Sequence, residues 1–303
     1  MNLTKEVFKI DAKKISQEME KFIKEKMTLL ARAGTLVPMS GGLDSTTVAT
    51  LCVRAVGKDK VTGLMLPEKQ GNPDAEKYAT KVANLLGIKT EKIDISRTLE
   101  SLGTYDYFVS RIPSQTIRKK LLKLFFALGK ENPIIEGATG KSKKFANKGL
   151  ASFASKQRIR SVSVYKFAEE NNLLVVGAAH KSECLTGLFV KFGVDHNADI
   201  MPIRNLYRSQ ILELAKFLGV PEEIITRTPN PDVMPGINDK YVDILKLDYE
   251  KVDLILYGLE KDMSSQEIAR QLKLKEEKVG EIKQLMCLTD HMRNPSQAPD
   301  FAL

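Results

Sequence analysis

Ser40, Gly41, Gly42, Asp44 and Ser45 crowd into the segment Leu36-Val-Pro-Met-Ser-Gly-Gly-Leu-Asp-Ser45. Two adjacent glycines carry no Cβ, so a backbone there can come close to a ligand. Ser40 and Ser45 add hydroxyl donors. The apolar run 35–39 before them reads as a buried strand, and a helix begins near Asp44. A strand that ends in such a turn aims several backbone N–H groups and a helix N-terminus at one point, an anion site suited to phosphate. Asp44 is the odd member, because a carboxylate beside phosphates is repelled unless a cation lies between them. The set therefore implies a magnesium-bridged nucleotide. The segment lacks the Gly-Lys-Ser/Thr ending of a Walker loop and the Gly-x-Gly-x-x-Gly dinucleotide turn.

Positioning these groups requires a strand and a helix, and the same pairing recurs along the chain. Residues 5–32 carry apolar positions at helical spacing (Val7, Ile15, Met19, Phe22, Met27) and predict an amphipathic helix. Strands are expected at 35–39, 60–66, 89–95 and 173–177, with helices at 44–56, 73–86, 151–171 and 207–218. Short apolar strands alternating with helices give an α/β, doubly wound parallel sheet of Rossmann-like type. Ligands of such sheets gather at the carboxyl ends of the strands, where the Ser-Gly-Gly turn falls. The fourth strand delivers Gly177-Ala-Ala-His-Lys-Ser-Glu183, with small residues and a carboxylate, to the same edge. Residues 137–149, rich in Gly, Lys and Ser, read as a mobile loop, and a Pro-rich loop spans 229–236. The whole chain, 1–303, reads as a single domain, with a core at about 1–245 and a helical C-terminal segment at about 246–303.

With 303 residues, 43% of them hydrophobic and 28% charged, the composition is that of a globular protein. No apolar run reaches the roughly 18 residues of a membrane span, and residues 1–6 show no signal-peptide pattern. Cys52, Cys184 and Cys287 stand far apart without metal spacing, which suits a cytoplasmic location. Three histidines make a His-based zinc site improbable. The net charge of +9 favours anionic partners. Much of it lies between Arg111 and Arg160, including Lys141, Lys143, Lys144, Lys148, Lys156 and Arg158, a run that reads first as a solvated face.

The Ser-Gly-Gly-x-Asp-Ser spacing resembles the pyrophosphate loop of the ATP pyrophosphatases. Further blocks follow in order: 177–183, Lys191-Phe-Gly193, Asp199-Ile-Met-Pro-Ile203, Leu206-Tyr-Arg-Ser-Gln210, 229–239 and Leu254-Ile-Leu-Tyr-Gly-Leu259. Together they resemble the ammonia-dependent NAD synthetases over most of the chain. The resemblance implies ATP and Mg²⁺ as cofactors and a deamido-NAD carboxylate that is adenylated and then amidated by ammonia. It places Mg²⁺ on Asp44 and Glu183, and pyrophosphate on Ser40, Gly41, Gly42 and Ser45. Lys191 and Arg208 would neutralise developing charge. Arg158 and Arg160 match basic positions near the dinucleotide or adenine, and Ala178, Asp199, Asn230 and Asp232 fall in binding blocks. A homodimer is implied, and a separate glutaminase partner is compatible with the chain.

Departures from the family pattern fall on the acceptor side. Ala178 replaces a Thr, Val194 stands where an Asp near the ammonia site is usual, with Asp195 one residue later, and Arg204 alters a further block. The alternative is a divergent ATP pyrophosphatase acting on another acceptor, such as a different small acid or a tRNA, with Cys184 the candidate sulfur carrier for thiolation. The stretch 264–279 has a helix-turn-helix cadence, yet Glu276, Glu277 and Glu281 would repel phosphates.

Overall fold

The computed structural model describes residues 2–107, 112, 114, 116–118, 120–121, 136–137, 144–229 and 237–294. In chain order the main elements are α1 (Ala12–Leu29), β1 (Gly34–Pro38), α2 (Leu43–Val56), β2 (Val61–Met65), α3 (Pro73–Leu86), β3 (Lys89–Lys92), α4 (Lys144–Glu170) and β4 (Leu173–Val175). There follow α5 (Lys181–Thr186), α6 (Arg208–Phe217), a π-helical turn (Tyr241–Leu245), α7 (Tyr249–Glu260), α8 (Ser265–Leu272), α9 (Glu276–Leu288) and α10 (Asp290–Arg293).

All four strands are parallel and run in the order β3-β2-β1-β4. The chain thus moves from β1 outward through β2 to β3 and returns to β1's other side for β4. The direction reverses between β1 and β4, and the crevice beyond their carboxyl ends is where such sheets take ligands. Successive strand residues feed opposite faces, as a pleated ribbon requires. Leu36, Leu64 and Val175 enter a core with Leu99 and Val164. Val37, Met65 and Leu174 enter another with Ile23, Val48 and Ile211. A third core belongs to the helical C-terminal segment, where Val252, Ile255, Ile268, Val279 and Ile282 pack together. Leu3 and Phe8 from the other end of the chain join it.

Local chemistry accounts for most of the boundaries. Asn72 caps α3 by accepting the Asp74 N–H (3.0 Å), Pro73 opens the helix, and Gly87 closes it in the left-handed region. The expected single helix over 5–32 divides into a 3₁₀ turn (Lys5–Phe8) and α1, because Asp11 caps a new helix by accepting the Lys14 N–H. Residues 144–149 are helical rather than part of a loop, since Gly149 costs only about 1 kcal/mol within a long helix. Residues 138–143 and most of the Pro-rich loop lie outside the described residues. The helix-turn-helix cadence is real as α8 and α9, but their apolar faces are spent in the third core.

Candidate active site

The Ser-Gly-Gly turn is held rigidly before any ligand arrives. Gly41 adopts φ +66, and a Cβ there would lie 2.6 Å from both the Ala79 nitrogen and the Tyr78 Cβ, so only glycine fits against α3. Its carbonyl accepts a hydrogen bond from Arg227 (2.5 Å), whose guanidinium also lies over the Tyr78 ring at 3.9 Å. The Ser40 and Ser45 hydroxyls are 3.1 Å apart, and the Gly42 N–H donates to Ser40 Oγ at 3.3 Å. No described side chain caps the start of α2, which leaves that helix end open toward the crevice.

Asp44 stands in the first turn of α2. Facing it from the β4 side are His180 and Glu183, and one ligand atom from each of the three lies within 4.8 Å of the others. The Arg208 guanidinium is 3.5 Å from the Asp44 carboxylate. Burial alone would raise the Asp44 carboxyl, but Arg208 and Lys240 outweigh it and hold it below the usual range. Burial drives His180 far below the usual imidazole range and keeps it neutral, and neither ring nitrogen has a hydrogen-bond partner among the described residues. Lys240, itself buried, donates to Glu183 Oε1.

Asp44, Glu183 and Lys240 line one end of a cavity of about 440 Å³ whose walls run along the end of β2, from Leu64 to Glu68, and along α4. Arg160 turns inward from α4 and donates to the Leu66 carbonyl at 3.2 Å. Beneath it Lys156 and Glu68 form an ion pair at 2.6 Å, with side-chain exposures of 6% and 0%. Tyr105 and the Gln70 N–H donate to the other oxygen of Glu68, each at 2.8 Å. Gln157 Oε1 is buried without a partner among the described residues. The opposite wall is apolar, with Leu188, Phe189, Val190 and Val194, and Asp195 stands beside it.

The residues singled out from sequence fall into three groups. Ser40, Asp44, Ser45, Arg160, Ala178 and Glu183 line the cavity, with Gly41 and Gly42 in its loop and Arg208 behind Asp44. Lys191, Arg158 and Asp199 do not line it. The Lys191 ammonium donates to the His291 carbonyl at 2.7 Å, and Arg158 donates to the Lys191 carbonyl at 3.3 Å. Asp199 accepts from the Val175 N–H (2.9 Å) and from Tyr165, which ties the connection after β4 to the strand itself. Asn230 and Asp232 lie outside the described residues. Sequence reasoning missed Lys240, Glu68 and Gln157, and read Lys156 as part of a solvated face. The inward-facing members of that run, Lys156 and Arg160, are separated by four positions, one helical turn, and this spacing was the available signal. Cys184 is buried and its thiol is pushed up by that burial, which makes it a poor sulfur nucleophile.

Comparison with known proteins shows the family to which the chain belongs. The sequence model of the NAD synthase family matches residues 15–123 and 128–296. A Thermotoga maritima protein described as an NH(3)-dependent NAD(+) synthetase is 36% identical over 283 residues, which span 92% of this chain and 96% of that protein. Among solved structures, an NMN synthetase from Francisella tularensis superimposes with a TM-score of 0.70 at 22% identity, covering 97% of this chain and all of that one. An NH3-dependent NAD synthetase from Campylobacter jejuni gives 0.67 at 24%, covering 96% of this chain and all of that one. With its phosphate-type turn at the sheet's switch point and family-wide similarity running almost from end to end, the chain belongs to the NAD synthase family.

Proposed function

We propose that this chain makes NAD from deamido-NAD, ATP and ammonia, releasing AMP and pyrophosphate. The observation that carries the reading is the meeting of two strand ends at one crevice: the open N-terminus of α2 with its Ser-Gly-Gly turn on one side, and Glu183 on the other. Most of the required chemistry is positioning and charge neutralisation.

The donor set fits magnesium. Asp44 and Glu183 supply the hard carboxylate oxygens this ion takes, and the cavity of about 440 Å³ that both line has room for water and phosphate oxygens besides. When bound, magnesium neutralises the triphosphate and makes its α-phosphorus easier to attack. The protein's own groups do the rest. Backbone N–H groups of the 40–45 turn hold the departing pyrophosphate. Lys240 and Arg208, each now facing a carboxylate, bring two positive charges to the crevice. The Leu64–Pro67 wall and Arg160 receive the base of the nucleotide. The apolar wall around Phe189 and Val194 keeps water from the acyl adenylate, so that ammonia reaches it first. Lys191 serves the phosphates after leaving the His291 carbonyl.

Ammonia is the direct nitrogen donor: the one close Cys/His pair among the described residues, Cys184 with its Sγ 3.8 Å from the His196 ring, has a buried thiol pushed up by that burial and makes a poor glutaminase nucleophile. A homodimer is supported by apolar side chains exposed on the two helices that the periodicity singled out, Phe22 and Leu29 on α1 and Val162 on α4. The cytoplasm is the fitting compartment for three free cysteines.

Incubation with ATP, Mg²⁺, ammonium and deamido-NAD tests the proposal. NAD, AMP and pyrophosphate appearing in equal amounts supports it. ADP and phosphate, or AMP and pyrophosphate without NAD, overturns it, and the latter outcome favours another acceptor.

A further inference from the structure

Helix α7 belongs to the C-terminal core, yet one of its side chains leaves that core and reaches the starts of α5 and α6. Asp253 is fully buried. Its Oδ1 accepts from Ser182 Oγ at 2.5 Å, and its Oδ2 accepts from both the Ser209 N–H (2.8 Å) and Ser209 Oγ (2.7 Å). The link closes on itself, because Ser182 Oγ in turn accepts the Arg208 N–H at 3.0 Å. Ser182 and Ser209 are the second residues of α5 and α6, so a single carboxylate holds the first turns of two helices that come from distant parts of the chain. A negative charge at a helix N-terminus is stabilising, and here one charge serves two such termini at once. Each serine is the immediate neighbour of a crevice residue, Glu183 on α5 and Arg208 on α6.

We infer that Asp253 is a positioning residue that fixes α5 against α6 and thereby sets the distance between Glu183 and the Asp44–Arg208 pair. This rests on the proposed role of Glu183 and Asp44 in holding the nucleotide's cation. Asp253 contacts none of the reacting groups. Groups that orient metal-holding side chains typically cost 10–100-fold in metal affinity or activity when altered. The carboxylate is needed rather than an amide, because all three of its partners donate hydrogen and an Asn side chain offers only one acceptor atom.

The experiment is steady-state kinetics of AMP formation by the full chain, carried out across a Mg²⁺ titration for wild type, Asp253→Asn, Ser209→Ala and Glu183→Ala, with folded fraction and Tm recorded for each. Asp253→Asn is expected to lower kcat per folded molecule 10–100-fold and to raise the Mg²⁺ concentration for half-activity about tenfold. The KM for deamido-NAD should stay within twofold. Ser209→Ala, which keeps the Ser209 N–H bond, is expected to move both quantities the same way by about two- to fivefold, and it carries the test if Asp253→Asn does not fold. Unchanged kcat and Mg²⁺ dependence per folded molecule, with only Tm lowered, makes Asp253 a structural residue and overturns the inference. Wild-type turnover by Glu183→Ala instead overturns the cation-site reading, and the inference falls with it. A disabled Glu183→Ala beside a fully active Asp253→Asn overturns the inference alone.

Discussion

Replacing Glu68 by Gln breaks the buried ion pair under the nucleotide wall while leaving the side chain's shape almost unchanged. At 2.6 Å the attraction between Lys156 and Glu68 is about 6 kcal/mol for an effective dielectric of 20. The desolvation of both charges offsets much of this. Removing one partner costs more than the pair's net worth, about 3–5 kcal/mol, because a charge stays behind in a dry place. In Glu68→Gln the amide oxygen can keep Tyr105 and Gln70, so its NH₂ faces the Lys156 ammonium, donor against donor. A cost near 3 kcal/mol is expected, and for a chain of this length it lowers Tm by about 5 °C. Lys156→Met should cost a similar amount, and the double variant well under the sum, with a coupling of about 2 kcal/mol. The pH dependence has a definite sign. Burial raises the Glu68 carboxyl, but Lys156, the Gln70 N–H and Tyr105 outweigh it, and the folded value lies below 4.5. The stabilisation is therefore complete above about pH 4.5, where the unfolded chain's carboxyl is ionised, and is lost as pH falls through the folded value. Urea unfolding at pH 7 and pH 4 measures it. Additive single costs within 0.5 kcal/mol, or a Glu68→Gln cost that grows on acidification, refute the reasoning.

Three further outcomes are expected. Asp44→Ala and Glu183→Ala each lower AMP formation by at least two orders of magnitude in a pyrophosphate-release assay, and turnover within tenfold of wild type contradicts the crevice assignment. Gly41→Ala destabilises by at least about 2 kcal/mol in thermal unfolding and weakens ATP binding measured by calorimetry, because a Cβ at φ +66 meets the backbone of α3. His196, stacked on Phe189 with ring centroids 3.6 Å apart, is pushed down to about 3 by burial and by Arg204. The unfolded chain thus takes up a proton that the native state refuses, and lowering the pH from 6.5 to 5 removes about 2 kcal/mol of stability that His196→Gln retains. Parallel stability–pH curves for the two proteins exclude that assignment.

What could be read from sequence was whatever is decided within a few residues. The Ser40–Ser45 turn, the helix over 73–86 and the four-strand alternation all depend on local backbone chemistry, and the structure matches them closely. Glu183 was reachable because it follows a strand by a short, fixed interval. Lys240 was not, since its burial depends on a carboxylate 57 positions away. Lys156 was misjudged for the same reason, its partner Glu68 lying 88 positions distant. A lysine's hydropathy says it prefers water, and only tertiary pairing reverses that preference. Lys191 shows the converse, since its motif position points to phosphates while its ammonium rests on a C-terminal carbonyl.

The contact between α7 and the first turns of α5 and α6 has a consequence for how the molecule comes apart. The C-terminal segment has its own apolar core, so it is expected to open as a cooperative unit while the sheet stays closed. Opening withdraws Asp253 from both helix starts and scatters the charged groups around the crevice, although every strand hydrogen bond is still in place. Catalytic competence is therefore expected to depend on the C-terminal helices as much as on the sheet. On warming, synthesis is expected to fail before the parallel sheet loses its amide protection, and a bound nucleotide, by bridging the two units, should bring the two events back together.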